Sequence, residues 1–536
     1  MKFRQNGDRL ISQHLPLHKG LRFLIIAILV LGIFFRFANL ENKVYWIDEG
    51  YTSLRVSGYT ESELIKELGE GKINEIKTLQ KYQHLNAEKN VFDTVKGLAL
   101  EEAQLAPLYF VAVRFWVQLF GDSIAVTRSL SAVFSLLALP CMYWLCLELF
   151  ESSLTAWLAV AILAVSPFQV VYAQEARPYS LFVLLILLSS AVLLRAMRLK
   201  TNSSWAIYAA TLAVAMYSHL LFAMVAIGHG IYVVIVEKFR INKTVIGYFL
   251  ATITGILIFS PWIIVFIQNF NYASDKTSWL SLRRPLLELV KNWILNISTQ
   301  FFDVGFYWKL PRPYLISTLP VIFMILIMVG YSYYLLLRKK EIRVWLFVIT
   351  LTCMTAVFFL PADLIKGGVR SINTRYMIPC YLGMQISVAF LFTQLIIQVK
   401  LQKLWRVALV FLLSMGIISS CLYLSADTWW NKSGSVLNNS IARTVNSASN
   451  PLIITDLAGY SVLNIGNLLG MSHQIKPTAK LLIMSPKKVE FPVNFDPILV
   501  YNISPDLQKQ IRKFYQDKIQ MIYGQGQEII LWKIVK

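Results

Sequence analysis

Charged residues make up only 15% of this 536-residue chain, and 30 acids stand against 51 lysines and arginines. Soluble globular domains carry roughly a quarter charged residues. With 56% hydrophobic residues, the chain cannot bury its apolar surface in one water-soluble core, which excludes an ordinary soluble enzyme. Cysteine is scarce: Cys141, Cys146, Cys353, Cys380 and Cys421 all fall in apolar runs. They read as buried thiols, with no disulfide framework and no metal spacing. No cluster of His, Cys and carboxylates at metal-ligand spacing occurs. Gly367-Gly368 lacks the Gly-x-x-x-x-Gly-Lys spacing of a phosphate-binding loop and reads as a flexible turn. Internal repeats and low-complexity tracts are also missing, which argues against a transporter built from duplicated halves.

What the chain has in abundance is long apolar runs, at a mean hydropathy of +0.55. A helix crosses the hydrocarbon with roughly 20 apolar residues. Eleven segments are candidates: 22–40, 126–149, 154–172, 179–197, 205–218, 220–236, 245–267, 314–337, 344–361, 376–398 and 405–424. The fifth and sixth are short. Basic residues orient them, because Lys19 and Arg22, Arg195 and Arg198, Lys238 and Arg240, Arg338 and Lys339, and Lys400 and Lys403 fall in alternate connections. By the positive-inside rule these lie in the cytoplasm. The turn near Glu151 is the one exception. The net charge of +21 therefore reads as topology, and nucleic acid is excluded as a partner. The N-terminal segment 1–21 is expected inside, the first span is expected to be kept as an anchor, and the tail is expected outside, in a cell membrane such as a plasma membrane.

Three outside regions exceed mere connectors. Residues 41–125 carry amphipathic patterns and an aromatic stretch, Pro107 to Trp116, that reads as a helix in the membrane interface. Residues 268–313 mix Trp279, Trp293 and Trp308 with Arg283, Arg284, Lys291 and Arg312, as an interfacial belt does. Residues 426–536 hold strand-length apolar runs at 451–456, 480–484, 497–501 and 528–532 and a helical pattern over 505–518. The expected architecture is an all-α polytopic membrane protein of about 11 transmembrane helices. It consists of a membrane module over 22–425 and a small extracytoplasmic α/β domain over 426–536.

The likeliest chemical centre is the pair Asp48-Glu49 in Tyr45-Trp46-Ile47-Asp48-Glu49-Gly50, just beyond the first span. Like charges side by side in poor hydration cost free energy unless chemistry or a cation requires them. The rival readings are a solvated loop acid for Asp48 and, for Glu49, pairing with a base such as Arg128.

In order along the chain stand Asp48-Glu49, the Pro107-Leu108-Tyr109 helix, Arg128, Ser166-Pro167-Phe168, Gln174-Glu175-Ala176-Arg177-Pro178-Tyr179 and Thr374-Arg375-Tyr376-Met377-Ile378-Pro379. This series resembles the polyprenyl-phosphate-sugar glycosyltransferases of the GT-C superfamily, nearest to the protein mannosyltransferase and aminoarabinose transferase group. The resemblance spans roughly residues 20–400, and the tail after 426 carries little of it. It implies an inverting transfer of sugar from a polyprenyl-phosphate carrier to a glycolipid, polysaccharide or protein acceptor on the outer face. No nucleotide sugar or cofactor is called for, and a divalent metal is left open.

That chemistry needs a base for the acceptor hydroxyl, for which Asp48 is the choice with Glu49 beside it. It also needs fixed positive charge for a leaving phosphate. Lys366, Arg370 and Arg375 are alternative clamps, and the resemblance favours Arg375. Arg128, Glu175, Arg177 and Tyr376 join them as substrate-binding candidates, although Glu175 and Arg177 could instead shape their own loop. His219 occupies a tight outside turn, either a metal or acceptor contact or a packed neutral histidine. The competing functions are a glycan polymerase or ligase using a diphosphate carrier, a lipid-linked saccharide flippase, and a sensor anchored in the membrane. The near absence of acids within the spans disfavours the flippase, and eleven spans exceed what an anchor needs.

Overall fold

A computed structural model describes residues 19–69, 71–305, 312–398, 401–458, 461–484, 492, 494–515, 518–525 and 528–534. The segment 1–18 and Trp308 lie outside the described residues. The chain divides into two compact units. The first comprises 1–40, 102–109 and 128–425, and the second 41–101, 110–127 and 426–536. The stretch after the first span thus folds with the C-terminal segment.

The first unit is helical. Its elements are α1 (Lys19–Phe37), α7 (Ile124–Phe150), α8 (Ser153–Val165), α9 (Pro167–Ala173), α10 (Tyr179–Leu199), α11 (Asn202–Ser218), α12 (Phe222–Val236) and α13 (Lys243–Gln268). Then come α14 (Phe270–Lys276), α15 (Leu286–Ser298), α16 (Arg312–Lys339), α17 (Ile342–Lys366), α18 (Ile378–Ile397) and α19 (Gln402–Ser425). Labels α2–α6 belong to the stretch between α1 and α7. Among the described residues eight helices are long and apolar enough to cross a membrane, and the bent pair α8–α9 would be a ninth. The two remaining expected spans form helices of 17 and 15 residues, α11 and α12. At 1.5 Å per residue these reach only about 22–26 Å, short of the ~30 Å hydrocarbon core. All five cysteines are free. Cys421, expected to be buried, is exposed on α19; the outer face of an apolar helix suits a small thiol as well as a core does.

The break between α8 and α9 bends the chain by 58°. Its cause is local: Ser166 precedes Pro167, and the proline ring pushes it out of the helical region to ψ 121°. The last carbonyls of α8 lose their helical partners there. Arg36, fully buried on α1, takes them up. Its Nη1 donates to Ala164 O at 2.6 Å and to Gly32 O at 2.8 Å, its Nη2 to Leu163 O at 3.2 Å, and its Nε to Ser135 Oγ at 2.8 Å. A buried guanidinium is thereby satisfied at the same place as the freed carbonyls.

The second unit contains α2 (Ile47–Val56), α3 (Glu61–Leu68), α4 (Thr78–Lys81), α5 (Val91–Glu101), most of α6 (Leu108–Phe120), α20 (Asn438–Asn446), α21 (Ser461–Ser472) and α22 (Pro505–Tyr515). Its strands are β1 (Ile73–Glu75), β2 (Leu452–Thr455), β3 (Lys480–Ile483), β4 (Ile498–Tyr501), β5 (Ile519–Gln525) and β6 (Glu528–Ile534). They form one sheet in the order β1-β3-β2-β4-β6-β5, with β3, β2 and β4 parallel. Both faces of the central strands are covered. Ile453, Leu481 and Leu499 join a core with Tyr51, Leu54 and Leu468, while Leu452, Ile454 and Val500 join Leu507 and Ile511 of α22. Continuous apolar strands mark such a doubly covered parallel sheet, so the expected small α/β fold is present. The sequence pattern missed β5, which pairs antiparallel with β6, and β1, whose Ile-Asn-Glu carries no strand signal yet pairs antiparallel with β3.

Candidate functional site

In the first unit the motifs converge through hydrogen bonds. Gln174 Nε2 donates to Phe35 O at 2.7 Å and Ala38 O at 2.8 Å, capping the freed carbonyls at the end of α1. Arg128, buried, donates from Nη1 to Leu40 O at 2.6 Å. Tyr109 of the Pro-Leu-Tyr motif shares a 2.7 Å hydrogen bond with Ser131. The Gln-Glu-Ala-Arg-Pro-Tyr segment is held tightly, with Glu175 and Arg177 buried and Arg177 N donating to Glu175 O at 2.8 Å.

The loop before α18 docks on the same region. Tyr172 OH pairs with Thr374 Oγ1 at 2.8 Å, and Arg375 Nη1 donates to Tyr179 OH at 3.0 Å. The Arg375 guanidinium lies 5.7 Å from the Tyr179 ring, 5.8 Å from Trp279 and 5.9 Å from Tyr376. An arginine held by a phenol and ringed by aromatic faces keeps its planar fork in a fixed orientation.

The three alternative clamps now separate. Arg370 bridges Asp363 Oδ1 at 3.1 Å, Gly367 O at 3.2 Å and Ser281 Oγ at 2.9 Å. Asp363 Oδ2 also accepts from Ser371 N at 2.6 Å. Arg370 thus fastens the loop to the segment after α14. Trp293 Nε1 to Ser371 Oγ at 3.0 Å and Asn296 Nδ2 to Ile372 O at 2.9 Å complete the fastening, which gives Trp293 a specific role beyond an aromatic belt. Lys366 is exposed at the end of α17.

His219 joins the cluster from the turn between α11 and α12. Its ring stacks on Phe182 with centroids 4.5 Å apart and lies 6.2 Å from Tyr179. Burial, aided by the positive charges of Arg177 and Arg375, pushes its pKa down to about 3. It is neutral. Among the described residues no group of three His, Cys, Asp or Glu side chains is placed to hold a metal.

In the second unit Asp48 and Glu49 occupy the first turn of α2, where the helix dipole favours negative charge. Neighbouring helical residues diverge rather than face each other. Asp48 is half-buried, whereas Glu49 is fully buried and meets the ammonium of Lys432 at 3.0 Å, itself fully buried. A lysine from the linker after α19 is therefore a partner of Glu49. Around it, Ile47 N donates to Ser435 Oγ at 3.1 Å, Val44 N to Asp427 O at 2.9 Å, and Lys43 Nζ to Ala426 O at 2.6 Å.

Helix α2 lies against α21 at a crossing that only glycine allows. A Cβ on Gly50 would come within 2.9 Å of Gly466 O, one on Gly466 within 2.6 Å of Ile47 Cγ2, and one on Gly470 would collide with Tyr45 O. Lys432 and these glycines pack around the Asp48-Glu49 turn, and the sequence reading missed them. The spacing Gly466-x-x-x-Gly470, which permits close helix approach, was the available signal.

Comparison with known proteins gives two kinds of likeness. The family described as dolichyl-phosphate-mannose-protein mannosyltransferase matches residues 104–265. Among solved structures, ArnT from Cupriavidus metallidurans in the apo state is 11% identical and superposes with a TM-score of 0.50 over 96% of this chain and 98% of that one. The same protein bound to undecaprenyl phosphate gives 12% identity, 0.49, 96% and 98%. The oligosaccharyltransferase AglB from Archaeoglobus fulgidus, in complex with an inhibitory peptide and a dolichol-phosphate, gives 10%, 0.46, 86% and 65%. No curated protein matches.

Proposed function

We propose that this chain, which has the fold of the GT-C membrane glycosyltransferases, transfers a sugar from a polyprenyl-phosphate carrier to an acceptor on the extracytoplasmic face, with inversion. Asp48 takes the proton of the acceptor hydroxyl as its oxygen bonds to the anomeric carbon. The bond from that carbon to the phosphate oxygen breaks, and the phosphate leaves as an anion facing Arg375. Glu49, expected beside Asp48 as a second catalytic acid, is in this reading a positioning residue, since Lys432 already neutralises it.

The observation that carries the reading is the oriented Arg375, with its guanidinium held by Tyr179 and ringed by three aromatic side chains. An open apolar groove of about 740 Å³ among α11, α12 and α13, with Ile227, Ile231 and Phe249 exposed along it, is compatible with a lipid chain. Arg375→Ala is expected to lower transfer by roughly 10²–10³-fold, the usual effect of removing one preorganised donor. Arg375→Lys keeps the charge but loses the planar fork, so it should lower turnover more than donor affinity. Transfer rate against donor concentration in nanodiscs measures both, and a normal rate for Arg375→Ala would remove the clamp.

The orientation has its own test. In a cysteine-free background, single cysteines placed in 60–100 or 440–530 should react in intact cells with a membrane-impermeant thiol reagent, and one at Lys339 should not. Labelling at 339 from outside would put the chemistry on the cytoplasmic face.

A further inference from the structure

We propose that His219 is a phosphate-binding residue, a neutral imidazole whose Nε2–H donates to an oxygen of the carrier phosphate beside Arg177 and Arg375. The inference rests on the transfer reading above and adds to it a donor with a defined tautomer.

Three observations place the proton. Nδ1 of His219 accepts the backbone N–H of Leu221 at 3.2 Å, so that nitrogen carries the lone pair. A neutral imidazole has one donor and one acceptor nitrogen, and the hydrogen is therefore on Nε2. Nε2 makes no hydrogen bond among the described residues, although the ring is fixed by its stack on Phe182. A packed structural histidine looks different, and this chain contains one for comparison. His229 is buried on α12, with Nε2 at 3.1 Å from Ser190 Oγ and Nδ1 at 3.0 Å from Tyr208 OH. Both of its nitrogens are used; one nitrogen of His219 is left over.

The surroundings select the ligand. The charged groups that act on the ring are Arg177 and Arg375, both cationic, and Arg375 donates to the phenol of Tyr179, whose ring lies 6.2 Å from that of His219. A donor hydrogen beside two guanidinium groups suits an anion with several acceptor oxygens. Because the arginines keep the imidazole neutral, it adds a directed hydrogen bond without a third positive charge. Its contribution should not vary across the pH range in which an ordinary histidine titrates.

Two substitutions separate donor from packing. Glutamine at 219 can set its amide nitrogen near the place of Nε2 but loses the aromatic stack, whereas phenylalanine keeps the stack and loses the donor. The experiment titrates the full chain in nanodiscs with undecaprenyl phosphate and, in parallel, with undecaprenol. His219→Phe is expected to weaken undecaprenyl phosphate binding by about 10- to 100-fold, the range for a hydrogen bond to a charged group, and to leave undecaprenol binding unchanged. His219→Gln should stay within a few-fold of wild type. The ratio of wild-type to His219→Phe affinity should be constant from about pH 7 to 8.5, above the second pKa of about 6 of the phosphate monoester and outside the range of the lowered histidine.

Full affinity in His219→Phe with loss in His219→Gln would make the residue a packing element and overturn the proposal. A ratio that grows toward acid would overturn the neutral-donor form, because it would reveal an imidazolium. Wild-type protein that binds both lipids equally would instead remove the phosphate-carrier reading itself, whatever the variants do.

Discussion

Asp48→Asn is expected to reduce sugar transfer by roughly 10²–10⁴-fold, the range for loss of a general base, while membrane insertion and donor binding stay near wild type. The amide keeps the shape of the carboxylate and removes its proton affinity. Asp48 is half-buried at the first turn of α2, where losing its charge forgoes an interaction with the helix dipole of about 0.3–1 kcal/mol. The backbone of the segment entering α2 is held by the bonds that Val44 N and Ile47 N donate. Single-turnover transfer by purified protein in nanodiscs, alongside a thermal melt, separates the two effects. Activity within a few-fold of wild type removes Asp48 from the chemistry, and loss of activity with a collapsed melt points to folding instead.

Lys432→Met should have the largest effect on stability. It removes the ammonium 3.0 Å from the buried Glu49 carboxylate, and breaking a buried pair from one side costs about 3–5 kcal/mol. Transfer should fall with it, because α2 carries Asp48. The double variant Glu49→Gln, Lys432→Met removes both charges and should recover most of the melting temperature, since a buried ion pair is often no more stabilising than neutral groups of similar size. Denaturant or thermal unfolding of the three proteins is the measurement. A Lys432→Met melt equal to wild type would mean that the ammonium contributes nothing to holding α2. If the double variant regains stability and also activity, Glu49 is a positioning residue; stability without activity would give it a part in catalysis.

The reach of sequence reading differs from residue to residue. The spans were visible because lipid imposes a length and an apolarity on every crossing helix. One span was read straight through Ser166-Pro167, over 154–172, whereas the structure bends there by 58°, because the residue before a proline leaves the helical region. Strands β2, β3, β4 and β6 were visible for the same kind of reason, as short apolar runs between turn signals. Strand β1 was not, because its three residues become a strand only by pairing with Lys480 to Leu482. Among the site residues, Arg375 was chosen through resemblance, whereas its separation from Arg370 required seeing Asp363 and Ser281 engage the latter.

By itself the sequence determined the solvent of this protein, the helices that lipid requires, the α/β character of the tail and the acidic motif at the head of α2, because each depends on residues close together in the chain. Only the tertiary structure decided which charges neutralise one another. Glu49 and Lys432 are 383 residues apart, Arg36 and Ala164 are 128 apart, and Gln174 and Phe35 are 139 apart. No local pattern signals such partners. Burial makes an unpaired charge or freed carbonyl costly, but chain closure over hundreds of residues determines which group arrives to satisfy it.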